Sequence, residues 1–168
     1  MNQNYRKKFN QEFKTEKYQA FLDDITHDFG YFPTFRISES PFFISNQLKS
    51  QLLEGCQQVI DFIQKDDFLK MTDRALDLNR KVPNEDNHTT FLAIDFGICE
   101  EDGVVLPKLI EVQGFPSLYN FQQNLFEKYN IHYPFTQELT PFLSGLDKNS
   151  YLELLNKAVK NGHEDEAV

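Results

Sequence analysis

The sequence predicts an α+β fold, mostly helical, with a central antiparallel β-hairpin or small sheet. Three observations predict it. Two apolar, β-branched runs, residues 91–94 and 104–112, flank the turn residues Glu101-Asp102-Gly103. An Asp-Gly pair between such runs is the strongest short-range hairpin signal. The stretches on either side place apolar residues at helical rather than alternating spacing. The chain has 168 residues, 40% of them hydrophobic, which is the size of one domain with one substantial core. A single domain over residues 1–168 is therefore expected.

In order, residues 5–29 set Phe9, Phe13, Ala20, Phe21, Ile25 and Phe29 between charged residues. This reads as an amphipathic helix with a break near Thr15 and a stop at Gly30. Residues 31–44 contain Pro33, Pro41 and many aromatics, and read as extended backbone pinned to the core by its Phe side chains. Ser45 or Asn46 caps a second helix whose apolar face is Leu48, Leu52, Val59, Ile60 and Ile63, running to about Gln64. A short helical segment at Phe68-Leu69-Lys70 continues weakly through residues 73–80, and residues 83–87 form a polar loop. After the hairpin, Gly114-Phe115-Pro116 makes a sharp turn. Ser117 then caps a helix through Leu118, Phe121, Leu125 and Phe126. Residues 129–141 read as an irregular aromatic connection. Asn149 or Ser150 caps a last helix over residues 151–159, ended by Asn161-Gly162.

Composition excludes several functions. A net charge of −9 argues against sequence-independent nucleic-acid binding, where Lys and Arg must neutralise phosphates. No apolar run reaches the length of a membrane span, and the polar N-terminus is not a signal peptide. A cytoplasmic protein is expected. Cys56 and Cys99 form no disulfide or zinc framework. His27, His88, His132 and His163 have no ligand spacing and read as surface residues.

The informative polar groups are Asp95, Glu111 and Gln113, which sit inside or at the end of strands that read as buried. A buried carboxylate needs a partner, because an unpaired buried charge is very costly. Side-chain alternation puts Glu111 and Gln113 on one face. A two-residue loop at Asp102-Gly103 pairs Asp95 with Ile110. One extra residue, from a three-residue loop or a bulge near Pro107, pairs it with Glu111 instead. Opposed carboxylates can share one ion, and oxygen-only ligands suit Mg²⁺. The plainer readings are a solvated strand end for Glu111 and Gln113, and a helix cap or an Arg partner for Asp95.

The order Asp95, a Gly-containing turn, then Lys108-Leu109-Ile110-Glu111-Val112-Gln113-Gly114-Phe115-Pro116-Ser117-Leu118 resembles the ATP-grasp ligases of the glutathionylspermidine synthase type. The resemblance implies Mg²⁺ held by Asp95, Glu111 and Gln113 beside the phosphates of ATP. It also implies activation of a carboxylate as an acyl phosphate and its joining to an amine. Gln113 stands where the family has Asn, and Ala93 where it has Arg. Residues 35–42 resemble the region that precedes the ATP-grasp lobe in related proteins, and Arg36 is the candidate catalytic cation. A salt bridge to Glu39 or another acid is the structural alternative for Arg36. Nothing after Gln122 resembles the lobe that grips adenine. The chain is thus expected to be the N-terminal part of a longer ATP-grasp-like protein, inactive alone, whose partners are ATP and small acid and amine substrates. The alternative is a non-catalytic interaction domain with a degenerate site and a Phe-rich contact patch at Phe32, Phe42 and Phe43.

Overall fold

The computed structural model describes residues 2–75, 83–84, 89–115 and 117–162. These contain six α-helices and one two-stranded antiparallel sheet, a mostly helical α+β architecture with a central hairpin. The helices are α1 (Gln3–Glu12), α2 (Thr15–Phe29), α3 (Asn46–Ile63), α4 (Phe68–Thr72), α5 (Tyr119–His132) and α6 (Lys148–Lys160); the strands are β1 (Ala93–Glu101) and β2 (Val104–Gln113). No described helix is long and apolar enough to cross a membrane. Backbone contacts divide the chain into two compact units, one built from residues 44–116 and the other from residues 2–43 and 117–168.

The larger unit is an aromatic cluster. Phe9 of α1, Phe21 and Ile25 of α2, Tyr129 of α5, and Ile37, Phe43 and Tyr133 from the connecting segments are all buried together. The rings of Phe21 and Tyr129 pack tilted with centres 4.6 Å apart, and those of Phe9 and Tyr133 at 4.5 Å. The expected break near Thr15 is present: Phe13 and Lys14 are extended, and α2 starts at Thr15. Gly30 ends α2 in the left-handed conformation, φ 71°, which only glycine adopts without cost.

The segment after Gly30 is only partly pinned by phenylalanines. Ile37 and Phe43 are buried, whereas Phe32, Phe35 and Phe42 stay exposed. Polar contacts do the rest. The Tyr18 and Tyr129 hydroxyls donate to the carbonyls of Ile37 and Ser38, both at 2.6 Å. Arg6 donates to the Ser40 hydroxyl, and the Asn2 amide donates to the Phe43 carbonyl. Burial, reinforced by neighbouring phenols, holds the Tyr129 hydroxyl well above its ordinary pKa, so it remains a donor.

Three expectations for this unit change. Ser117 is not a cap: Leu118 occupies the position before α5 with φ 65° and makes no side-chain cap bond. Helix α5 continues to His132, and a 3₁₀ turn covers Pro134–Glu138, where an irregular connection was expected. Of the aromatics of that stretch, Tyr129 is carried by α5 and Tyr133 follows its end; both are buried in the core, with Tyr129 facing α2 through Phe21. Helix α6 starts earlier than expected, because Asp147 caps it. The Asp147 carboxylate accepts from the Ser150 amide, and Ser150 reciprocates to the Asp147 amide, forming a capping box.

Helices α2 and α5 share a charge network that spacing alone does not reveal. Lys128, with a side chain 9% exposed, lies 2.8 Å from Asp28 and 3.3 Å from Asp24. His132 bonds Asp24 at 3.1 Å, and Asn124 donates to Asp28. His132 is therefore half-buried and partnered rather than a free surface group, while His27 is exposed and His88 and His163 lie outside the described residues. Burial tends to raise the Asp24 carboxyl, but bonds and charge from His132 and Lys128 outweigh it and hold the group low. The Lys128 bond, then that of Asn124, does the same for Asp28. Burial works against charged Lys128, but its two acids hold its pKa above the ordinary value.

Replacing Lys128 with Met should leave Asp24 and Asp28 facing each other one turn apart on α2. The expected loss of stability at neutral pH is about 1–2 kcal/mol, reduced from the buried-pair range because both acids are a third exposed. Both carboxylates titrate below their ordinary 3.8, so their contribution is present above that value and is lost as pH falls through the folded values. The gap between parent and variant should close over that acid range, as read by urea melts at several pH values.

Candidate functional site

The hairpin belongs to the smaller unit with α3. Ser45 caps α3 by accepting from the Leu48 amide at 3.2 Å, as expected for one of the two candidate caps. The short helix expected at residues 68–70 is α4, and a single 3₁₀ turn, Asp73–Ala75, continues it. Residues 76–80 and most of the polar loop expected at 83–87 lie outside the described residues.

The turn between β1 and β2 is a two-residue loop. Asp102 (φ 51°) and Gly103 (φ 77°) both have positive φ, as a type I′ turn requires. From the turn outward the pairs run regularly from Glu101 with Val104 to Phe96 with Leu109. The register then slips by one residue, and Asp95 pairs with Glu111, Ile94 with Val112 and Ala93 with Gln113. Ile110 is the extra residue. The bulge is thus at Ile110 and not near Pro107, which pairs regularly with Ile98. Pro107 is tolerated because both strands of a two-stranded sheet are edges, where a missing N–H leaves no ladder bond unmade.

The slip decides which side chains share a face. Phe96 rests on α3 at Gly55, where an added Cβ would stand 3.0 Å from its ring. Leu109 and Val112, paired with Phe96 and Ile94, line the same side. Asp95, Gly97, Glu111 and Gln113 take the opposite face, and Ile110 covers Gly97. A two-stranded sheet covered on one side leaves the other to water. Asp95, Glu111 and Gln113 are accordingly exposed, and the expectation that they lie in buried strands is overturned. No buried charge demands a counterion here. What remains is an open pair of opposed carboxylates, with Cα atoms about 4.5–5.5 Å apart by the geometry of such pairs.

The Gln113 amide donates to Glu111. Its oxygen and nitrogen are interchangeable by rotation, so the same arm can present a carbonyl. The described ion pairs include neither Asp95 nor Glu111; the nearby Lys108 is committed to Glu101 at 3.0 Å. Among the described residues no three His, Cys, Asp or Glu side chains gather as a metal site, so the cluster consists of two carboxylates and a carboxamide. Arg36 belongs to the other compact unit and is exposed, with no Arg36–Glu39 ion pair among the described residues. Cys99 is exposed on β1.

No family model, curated protein or solved structure matches this chain.

The close seat of Phe96 on Gly55 gives a direct test of how the hairpin is held. Gly55→Val should force the ring away from α3, and this overpacking should cost about 1–3 kcal/mol. Amides of β1 and β2 should lose protection in hydrogen exchange. Unchanged protection there would show that this contact does not anchor the sheet.

Proposed function

We propose that the open face of the hairpin is a Mg²⁺ and phosphate site of an ATP-dependent carboxylate–amine ligase of the ATP-grasp type, acting in the cytoplasm. The observation that carries this reading is the pairing of Asp95 with Glu111 by a bulge, with Gln113 beside them on the same face. The donor chemistry fits. Carboxylates and a carboxamide are hard oxygen ligands, and an exposed pair leaves room for the waters and phosphate oxygens that Mg²⁺ retains. Asp95 and Glu111 would hold the ion, with Gln113 as a neutral third donor. Mg²⁺ bound there would neutralise charge on the phosphates of ATP. The same residues order the phosphate end of the nucleotide and leave its adenine to other groups. Arg36, the cation that the resemblance nominates, belongs to the other compact unit and is given no place at this site. Two departures bear on activity: Ala93 supplies no charge beside Asp95, and Gln113 replaces Asn. The chain by itself is expected to bind the nucleotide weakly and turn nothing over.

A second reading, a non-catalytic interaction domain with a degenerate site, is favoured by Phe32 and Phe42, which are about half exposed. Phe43, the third member of that expected patch, is 4% exposed and belongs to the core, so it offers no contact surface.

Nuclear magnetic resonance with Mn²⁺ in place of Mg²⁺, with and without ATP, tests the leading reading. Paramagnetic broadening should centre on the amides of residues 93–95 and 111–113. Asp95→Asn and Glu111→Gln should each weaken it at least about tenfold, the scale on which metal sites respond to loss of even a supporting group. Broadening spread evenly over the acidic surface, or unchanged in both variants, would remove the metal role.

A further inference from the structure

The other face of the hairpin carries a different feature. Between α3 and the sheet runs an open groove of about 760 Å³. Phe62, Ile63, Phe68, Phe96, Leu109 and Val112 line it, and Phe62 is 47% and Leu109 53% exposed. Such contiguous apolar surface on a soluble unit marks an interaction site more often than isolated exposed residues do. We propose that this groove binds a basic, amphipathic segment of a partner protein.

Charge complementarity selects that occupant. Glu54 stands in the groove wall on α3, flanked by Gln51 and Gln58 one turn to either side. On the groove side the hairpin carries Glu100, which alternation puts on the face of Phe96 and Leu109, with Asp102 at the turn; the one lysine of the hairpin, Lys108, is on the other face and is spent on Glu101. Asp61, Asp66 and Asp67 lie exposed at the end of α3 and the turn beyond it. Lys65 sits 5.0 Å above the Phe62 ring, so this aromatic already accepts a cation on its face. An apolar floor with acidic borders fits a segment whose apolar side enters the groove and whose Lys or Arg residues meet the border. A second copy of this chain is a poor occupant, because each copy carries a net charge of −9 and two would repel. Anionic membrane surfaces are disfavoured for the same reason. The proposal does not rest on the Mg²⁺ reading, since Asp95 and Glu111 lie on the opposite face of the sheet.

The test uses model peptides of about 15 residues, enough for about four helical turns. One carries Leu at helical spacing with Lys elsewhere, one has the same Leu with Glu, and one has the Lys with Ser in place of Leu. The Leu/Lys peptide should bind and shift the amides of α3, β1 and β2, and added salt from about 0.05 to about 0.5 M should weaken it about tenfold. The other two peptides should bind at least about tenfold more weakly. The double variant Phe62→Ser with Leu109→Ser should lose most of the affinity. Both side chains are half exposed, so an unchanged circular dichroism spectrum would confirm that it remains folded. Equal binding of the Ser/Lys peptide would reduce the effect to bulk charge, and equal binding of the Leu/Glu peptide would reduce it to bulk hydrophobicity. Either result overturns the proposal, as does sedimentation as a dimer that the double variant abolishes.

Discussion

Which face of the hairpin is charged and which is apolar is decided by one unpaired residue, Ile110. The tight Asp102-Gly103 turn locks the ladder as far as Phe96 and Leu109. Strict alternation beyond Leu109 would send Glu111 and Gln113 into the apolar groove against α3 and Val112 out to water. A one-residue slip reverses all of these placements. The inserted residue keeps Leu109 and Val112 on the α3 side and turns Glu111 and Gln113 to the face of Asp95. Ile110 lies over Gly97, within ordinary contact distance of where a Cβ there would stand. The carboxylate pair is thus a consequence of apolar packing on the far side of the sheet.

That consequence was partly legible in the residues themselves. The turn, the two strands and the need for one extra residue before Asp95 could meet Glu111 all follow from the spelling of residues 91–113. The site of the bulge does not follow from Pro107, although the proline draws attention. The deciding signal is that Leu109 and Val112 are both apolar at an odd separation, with carboxylate and carboxamide at Glu111 and Gln113. Only an insertion between Leu109 and Val112 puts both apolar residues inward. Burial was the harder property to read, because β-branched runs look alike whether one face or two are covered. Here α3 covers one.

The aromatic unit shows the same limit. Helices α1, α2, α5 and α6 follow from apolar spacing, but neighbouring phenylalanines are not equal. Phe42 and Phe43 differ by one position and by 49% against 4% exposure. In an extended segment successive side chains point to opposite sides, so only one of an adjacent pair can enter the core. Two tyrosine hydroxyls, from α2 and α5, hold the intervening backbone at Ile37 and Ser38. No local pattern announces those bonds, because each joins residues far apart in the chain. The Asp24–Lys128 network escapes detection for the same reason: helical spacing on α2 shows two acids one turn apart, and the lysine between them comes from α5, about a hundred residues later in the sequence.

A two-stranded sheet is at best marginally stable in water, so the open face cannot be considered apart from the covered one. The geometry at Asp95 and Glu111 depends on the ladder, the ladder on the slip at Ile110, and the slip on keeping Phe96, Leu109 and Val112 against α3. Gly55 permits the closest of those contacts. Anything that fills or loosens the groove therefore acts on the carboxylate pair through the thickness of a single sheet. The two faces are chemically distinct and mechanically joined. A ligand on one should alter the order of the other even where it touches none of its residues.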